Sequence, residues 1–255
     1  MISIQNETIK EIPLLHVVKE EYAAQPLPTV FFIHGFTSAK EHNLHVAYLL
    51  AEEGFRVLLP DAMLHGKRGQ NLNEVVLSTR FWQIVIQTIE ELNIIKNEYE
   101  SRNLIEKGRI GLTGSSMGGI VTLGALTQYE WIKAAASLMG APAYVGFAKA
   151  QINHFKKNGF RLPMTDEEIE EQLKVLADYD LSLHPEKLKQ RPLLFWHGKA
   201  DTVVPYEPAH TFFKTVYPQY ENKPDNIRFI TDENAGHKVS RKGVLETVKW
   251  FSKHL

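Results

Sequence analysis

Residues 114–118 read Gly-Ser-Ser-Met-Gly, a G-x-S-x-G pentapeptide centred on Ser116. The run RIGLT (109–113) before it is strand-like and the stretch 118–129 after it is helix-like. The chain must therefore turn from strand to helix within a residue or two. Small flanking residues relieve the crowding of such a turn, which holds the serine in a strained conformation with its hydroxyl exposed. The helix that follows points its N-terminus at the same spot, where its dipole favours developing negative charge. A serine hydroxyl is a poor nucleophile until a base takes its proton, and that base is typically a histidine oriented by a buried carboxylate. Asp201 is the leading carboxylate, in HGKADTVVP just beyond the apolar run PLLFW (192–196). His237 is the leading base, in NAGH after the last strand-like run, and Gly236 lets its loop come close to other backbone. Asp232 and Glu233 lie near His237 in sequence and are the alternative acids. His34-Gly35-Phe36 follows PTVFFI (28–33). A turn there presents backbone N–H groups to a substrate oxygen, so we assign the oxyanion donors to the N–H groups of Phe36 and Met117. The His34 ring is expected to fix this loop and not to move protons.

These groups need a scaffold that brings distant stretches of chain together. Residues 2–9 and 12–18 partly alternate and predict an antiparallel hairpin. The runs at 28–33, 56–59, 109–113, 134–139, 192–196 and 227–230 are short and apolar without alternation, the mark of strands buried on both faces of a parallel sheet. Helical patterns fall between them at 44–51, 80–99, 118–129, 208–216 and 243–254. Strands alternating with helices predict an α/β fold with right-handed crossovers. Residues 143–190 break the rhythm: they hold no convincing strand, and Thr165 with Glu168 reads as a capping box. We expect a helical cap over the strand ends at 143–190, with the core formed by 1–142 and 191–255. An ordinary crossover with extra surface helices is the plainer alternative.

The 255 residues carry 29 Lys and Arg against 30 Asp and Glu, so there is no basic excess to neutralise phosphates and nucleic acid is not an expected partner. No cysteine is present, which excludes disulfides, thiol nucleophiles and cysteine-ligated metal. The N-terminus lacks a basic start followed by a long apolar run, and no stretch is long enough to span a bilayer, so no membrane association and a cytoplasmic location are expected. His42 and His45 are three apart, yet no HExxH motif and no third ligand accompany them, so no metal is expected. Lys67-Arg68 reads as a solvated loop, with attraction of an acidic substrate as the sharper alternative.

Taken together, HGF at 34–36, Asp61 with His65-Gly66, GSSMGG, HGKADTVVP and AGH resemble the α/β-hydrolase superfamily. Within it the chain resembles small bacterial serine esterases of the prolyl-oligopeptidase-like and dienelactone-hydrolase-like branches. The resemblance implies a mostly parallel eight-stranded sheet flanked by helices, and a triad with Ser116 as nucleophile, His237 as base and Asp201 as acid. Departures narrow it. Ser115 stands where many lipases carry histidine, the oxyanion loop is HGF in place of HGGG, and the dienelactone hydrolase cysteine is missing. No propeller domain precedes the hydrolase elements, which points away from peptidase activity. The expected reaction is hydrolysis of small carboxylic esters of short to medium acyl chain, without cofactor. A thioesterase or small peptidase on the same triad, and a non-catalytic receptor, are the alternatives. His65, Tyr144, Phe147 and Phe155 are the candidate substrate contacts; a structural loop role for His65, and the insertion's own small core for the three aromatics, are the plainer alternatives. The oligomeric state is left open.

Overall fold

A computed structural model describes residues 1–160 and 162–255. The apolar runs form one sheet of eight strands: β1 (Ile2–Ile9), β2 (Ile12–Lys19), β3 (Leu27–Ile33), β4 (Arg56–Pro60), β5 (Ile105–Ser115), β6 (Ala134–Leu138), β7 (Leu193–Gly198) and β8 (Ile227–Asp232). Their order is β1-β2-β4-β3-β5-β6-β7-β8. β1 and β2 form the expected hairpin, β2 runs antiparallel to β4, and all pairs from β4 to β8 are parallel.

The reason for the unbroken apolar runs is visible in β3. Phe31 and Ile33 enter one apolar layer, and Val30 and Phe32 enter the layer on the opposite face. A strand covered on both sides has no polar face to alternate with. One layer is covered by α1 (Leu44–Glu52) and α8 (Arg241–His254). The other receives α3 (Phe81–Ser101), α4 (Met117–Gln128) and part of α7 (Tyr206–Val216), with the six-residue α2 (Glu74–Thr79) at its rim. α2 is absent from the sequence reading because six residues are too few to show a helical period. α7 begins two residues before Pro208, which is tolerated because the N–H groups of the first helical turn have no intrahelical acceptor.

Residues 143–190 connect β6 to β7 and carry α5 (Tyr144–Lys157) and α6 (Asp166–Tyr179). Thr165 and Glu168 make the expected capping box at the start of α6. Ile169, Leu173 and Leu176 of α6 and Tyr144 and Ala148 of α5 are buried in the same apolar layer as α3 and α4. These described residues of the segment therefore share one core with the sheet. Among the described residues no helix is long and apolar enough to cross a membrane.

A shared core predicts that Leu176→Ala, at a fully buried position, destabilises the whole chain by about 2–5 kcal/mol. Urea unfolding followed by circular dichroism and by tryptophan fluorescence should give one coincident transition, shifted as a unit. A separate early transition in the variant would contradict the shared core.

Candidate active site

β5 stops at Ser115, α4 starts at Met117, and Ser116 alone makes the turn, with φ +56° and ψ −116°. A non-glycine residue there stores strain of order 1–3 kcal/mol. The surroundings hold it. The Ser116 N–H donates to the Leu138 carbonyl of β6 at 2.8 Å, and the Ser116 carbonyl accepts from Ile120 N–H at 2.9 Å. Gly118 permits the geometry, because a Cβ there would overlap the Ile33 carbonyl at the end of β3.

Two further loops meet the serine. Those after β7 and β8 are pressed together at Gly198, where a Cβ would overlap the Gly236 carbonyl oxygen. Lys199 N–H donates to the Asp232 carbonyl at 2.9 Å and Ala200 N–H to the Ala235 carbonyl at 3.0 Å. This contact brings Asp201 and His237, 36 residues apart, to 2.7 Å between Oδ2 and Nδ1. The other ring nitrogen, Nε2, lies 2.8 Å from Ser116 Oγ. Asp201 Oδ1 accepts the N–H groups of Val203 and Val204 at 2.9 and 3.0 Å, and its side chain has no solvent exposure. Burial alone would raise its pKa. The His197 ring 3.5 Å away, His237 and the two backbone donors outweigh burial and hold the carboxyl well below the usual range. An ionised Asp201 requires a proton on His237 Nδ1, so Nε2 is free to accept the Ser116 hydroxyl. Asp201, and not Asp232 or Glu233, takes the ring.

The loop at 34–38 faces the serine from the other side. Among the described residues, neither the Phe36 nor the Met117 N–H donates to a protein acceptor. Two histidines behind the loop fix it. His34 Nδ1 donates to the Gly35 carbonyl at 2.8 Å and Nε2 accepts from Ala62 N–H at 3.0 Å. His65 Nδ1 donates to the Met63 carbonyl at 2.9 Å and Nε2 accepts from Thr37 N–H at 3.0 Å. Each ring thus uses both nitrogens in the neutral state. Burial draws the pKa of His34 down to about 4 and lowers that of His65 as well. Below them Lys40 and Asp61 form an ion pair at 2.5 Å, both side chains fully buried.

A cavity of about 220 Å³ opens beside Ser116. Phe36, Phe81, Ile120, Val203 and Val204 form much of its wall, and α5 adds Phe147, Gln151 and Phe155. Glu74 and Ser78 of α2 complete it. Phe147 and Phe155 are among these wall residues, and Tyr144 and His65 are not. Tyr144 is fully buried, its hydroxyl donating to the Ile120 carbonyl at 2.6 Å, so it supports the wall from behind. His65 is 3% exposed and both its nitrogens are engaged, which leaves no edge for a substrate. Arg68 makes a bidentate pair with Glu91 at 2.7 and 2.8 Å, and Lys67 Nζ reaches Asn6, so neither is a free substrate anchor. The sequence reading did not single out the α2 residues or Ile120 and Gln151 as wall, because only tertiary packing gathers them.

Residues 41–255 match the model of the prolyl oligopeptidase family. The chain belongs to the prolyl oligopeptidase family. It is 54% identical, over the whole of both chains, to a Bacillus subtilis (strain 168) protein named "Putative esterase YitV". It is 29% identical to the Escherichia coli (strain K12) protein named "Esterase YjfP", again over the whole of both chains. Among solved structures it is similar to TT1662 from Thermus thermophilus, with a TM-score of 0.76 and 20% identity over 99% of this chain and 98% of that one. The fold is that of an α/β hydrolase, with its mostly parallel sheet and a strand–serine–helix turn at the centre.

The neutral state of His34 sets a direction with pH. A folded-state pKa below the unfolded value near 6.5 gives stability that is complete above pH 6.5 and drains as pH falls toward 4, on the order of 3 kcal/mol for this ring. The thermal midpoint should drop between pH 7 and pH 4.5. His34→Gln should lower the midpoint at pH 7 and flatten the dependence. A wild-type midpoint unchanged over that interval would contradict the neutral ring.

Proposed function

We propose that this chain is a serine carboxylesterase that cleaves small esters of short to medium acyl chain, with Ser116 as nucleophile, His237 as general base and Asp201 as its orienting acid. The chain is an esterase-type hydrolase of its family, and relatives named as esterases cover its whole length. The observation that carries the finer reading is the unbroken line from Asp201 Oδ2 through the two nitrogens of His237 to Ser116 Oγ, with steps of 2.7 and 2.8 Å.

In this reading His237 Nε2 takes the Ser116 proton as Oγ attacks the ester carbonyl. The carbonyl oxygen gains negative charge between the N–H groups of Phe36 and Met117, at the N-terminus of α4. Those donors need no reorganisation when the charge appears, since the His34 and His65 rings already fix the loop. His237 then gives its proton to the leaving alkoxide, and the acyl group stays on Ser116. Water, deprotonated by the same nitrogen, attacks the acyl carbon; the bond to Ser116 Oγ breaks, the acid leaves, and His237 returns the proton to Oγ. Asp201 remains ionised throughout and stabilises the imidazolium in each half of the cycle. The acyl group lies in the 220 Å³ cavity under α5, so residues 143–190 act as a cap while remaining part of the core. Among the described residues, Glu74 is the one charged residue in the cavity wall, which disfavours an anionic acyl group.

A fluorophosphonate should label the wild type once and leave Ser116→Ala unlabelled. Ser116→Ala should lose at least about 10⁴-fold in kcat on p-nitrophenyl butyrate with an unchanged circular dichroism spectrum. Near-normal turnover by this variant would end the nucleophile assignment. Asp201→Asn should lower kcat by about 10³–10⁴ with little change in KM, because the amide cannot hold the ring in the required tautomer. A loss confined to KM would remove Asp201 from the proposed line.

A further inference from the structure

A second, smaller cavity of about 40 Å³ lies beyond the one at Ser116. Phe155, Gln151 and Ser78 border both. The far cavity is otherwise lined mainly by apolar side chains, among them Trp82, Ala148, Ile152 and Ile169 from α3, α5 and α6. We propose that Phe155 ends the acyl pocket and sets the longest acyl group the enzyme accepts, with the far cavity as the blocked continuation of that pocket. This rests on the reading of Ser116 as the residue that is acylated.

The three partition residues differ in how they are held. Gln151 is fixed by Trp82, whose Nε1 donates to Oε1 at 2.8 Å. Ser78 returns its hydroxyl to the Glu74 carbonyl at 2.7 Å. Among the described residues, the Phe155 ring has aromatic contacts only with His154 and Phe160, close to it in the chain, and it stands outside the main apolar layer. It is thus the partition member whose removal joins the two spaces at least expense to the fold. Size sets the substrate class. A dry apolar cavity of about 150 Å³ holds benzene, so 220 Å³ holds one ring with a short linker, or a flexible chain of about six carbons. A longer chain meets the Phe155 ring. The far cavity exceeds the room a water molecule needs, yet its apolar lining offers water few partners, so methylene groups suit it better. The acyl group implied for the wild type is uncharged and of butyryl to hexanoyl or single-ring size. Accepting or rejecting one methylene in an apolar pocket is worth about 10–200-fold in discrimination, so the boundary should be sharp.

The test is kcat/KM on p-nitrophenyl esters from acetate to dodecanoate for the wild type, Phe155→Leu, Phe155→Ala and Phe155→Ala combined with Ala148→Leu. The wild type should peak between butyrate and hexanoate. The decanoate-to-butyrate ratio should rise at least about tenfold in Phe155→Ala and by an intermediate amount in Phe155→Leu. Ala148→Leu, which fills the far cavity, should return the ratio toward the wild type; if that variant does not fold, Ile152→Phe serves the same purpose. A ratio unchanged in Phe155→Ala while the fluorophosphonate still labels Ser116 overturns the assignment of Phe155 and leaves the nucleophile standing. A gain equal at every chain length also overturns it, since that reports a looser opening and not a longer pocket. Wild-type protein that neither labels nor turns over any ester of the series refutes the nucleophile reading itself.

Discussion

The whole site depends on one charge kept where water cannot reach it. Asp201 is useful to His237 only as an anion, and its side chain has no solvent exposure. Burial of a lone carboxylate is costly enough that the group would normally take up a proton. Here two backbone N–H groups from its own turn and the His237 ring donate to it, with the His197 ring beside it, and these outweigh the desolvation. The donors exist because the chain turns sharply at 201–204, and the ring arrives because the β7 and β8 loops touch at Gly198. A side chain at that glycine would push the β8 loop outward and move His237 from both partners at once. The geometry of the hydroxyl, imidazole and carboxylate is therefore a property of backbone packing at the carboxyl ends of the strands, where an open parallel sheet places its sites.

The loop at 34–38 is held by the same residue type in a different state. His237 meets a carboxylate through Nδ1, a partner that would stabilise a positive ring. His34 and His65 meet a carbonyl at one nitrogen and a backbone N–H at the other. That pattern fits only the neutral ring, and burial reinforces it. Protonation would turn the accepting nitrogen into a donor facing a donor. The two rings act as fixed spacers between residues 34–37 and 61–65, seated above the buried Lys40–Asp61 pair. In the proposed role of this loop, its N–H groups would have to stay in place while charge develops, and a loop tied down in this way meets that requirement.

Much of this arrangement is legible in the chain because it is locally encoded. The strands show as unbroken apolar runs since both faces are covered, and Ser116, Asp201 and His237 each follow such a run within a short stretch rich in glycine. What the sequence conceals is whatever depends on which side of an element faces the core. His65 carries a polar ring on a loop near the site, which reads as a structural loop residue or as a substrate contact. Only the positions of Thr37 and Met63 reveal that the ring is fully engaged. The segment 143–190 is long and lacks a strand, which reads as a separate cap. Whether Ile169, Leu173 and Leu176 pack on one another or on α4 is a question of tertiary approach that helical spacing leaves open.

α5 makes the point most directly. Tyr144 and Ala148 are four apart and enter the core, whereas Phe147, Gln151 and Phe155 are spaced by four and line the cavity beside Ser116. The two rows are neighbours on one helix, separated by about 60° of rotation, given 100° per residue. Both rows carry aromatic side chains, so hydrophobicity cannot say which faces the cavity and which faces the core. That is why Tyr144 reads in sequence as an equal of Phe147. The same adjacency ties specificity to stability. A helix that walls the pocket with one row and anchors itself with the next cannot swing away as a free lid without exposing Tyr144, whose hydroxyl holds the Ile120 carbonyl within the first turn of α4. The side chains that share the cavity wall with Ser116 include those of the outer row of α5 and of α2.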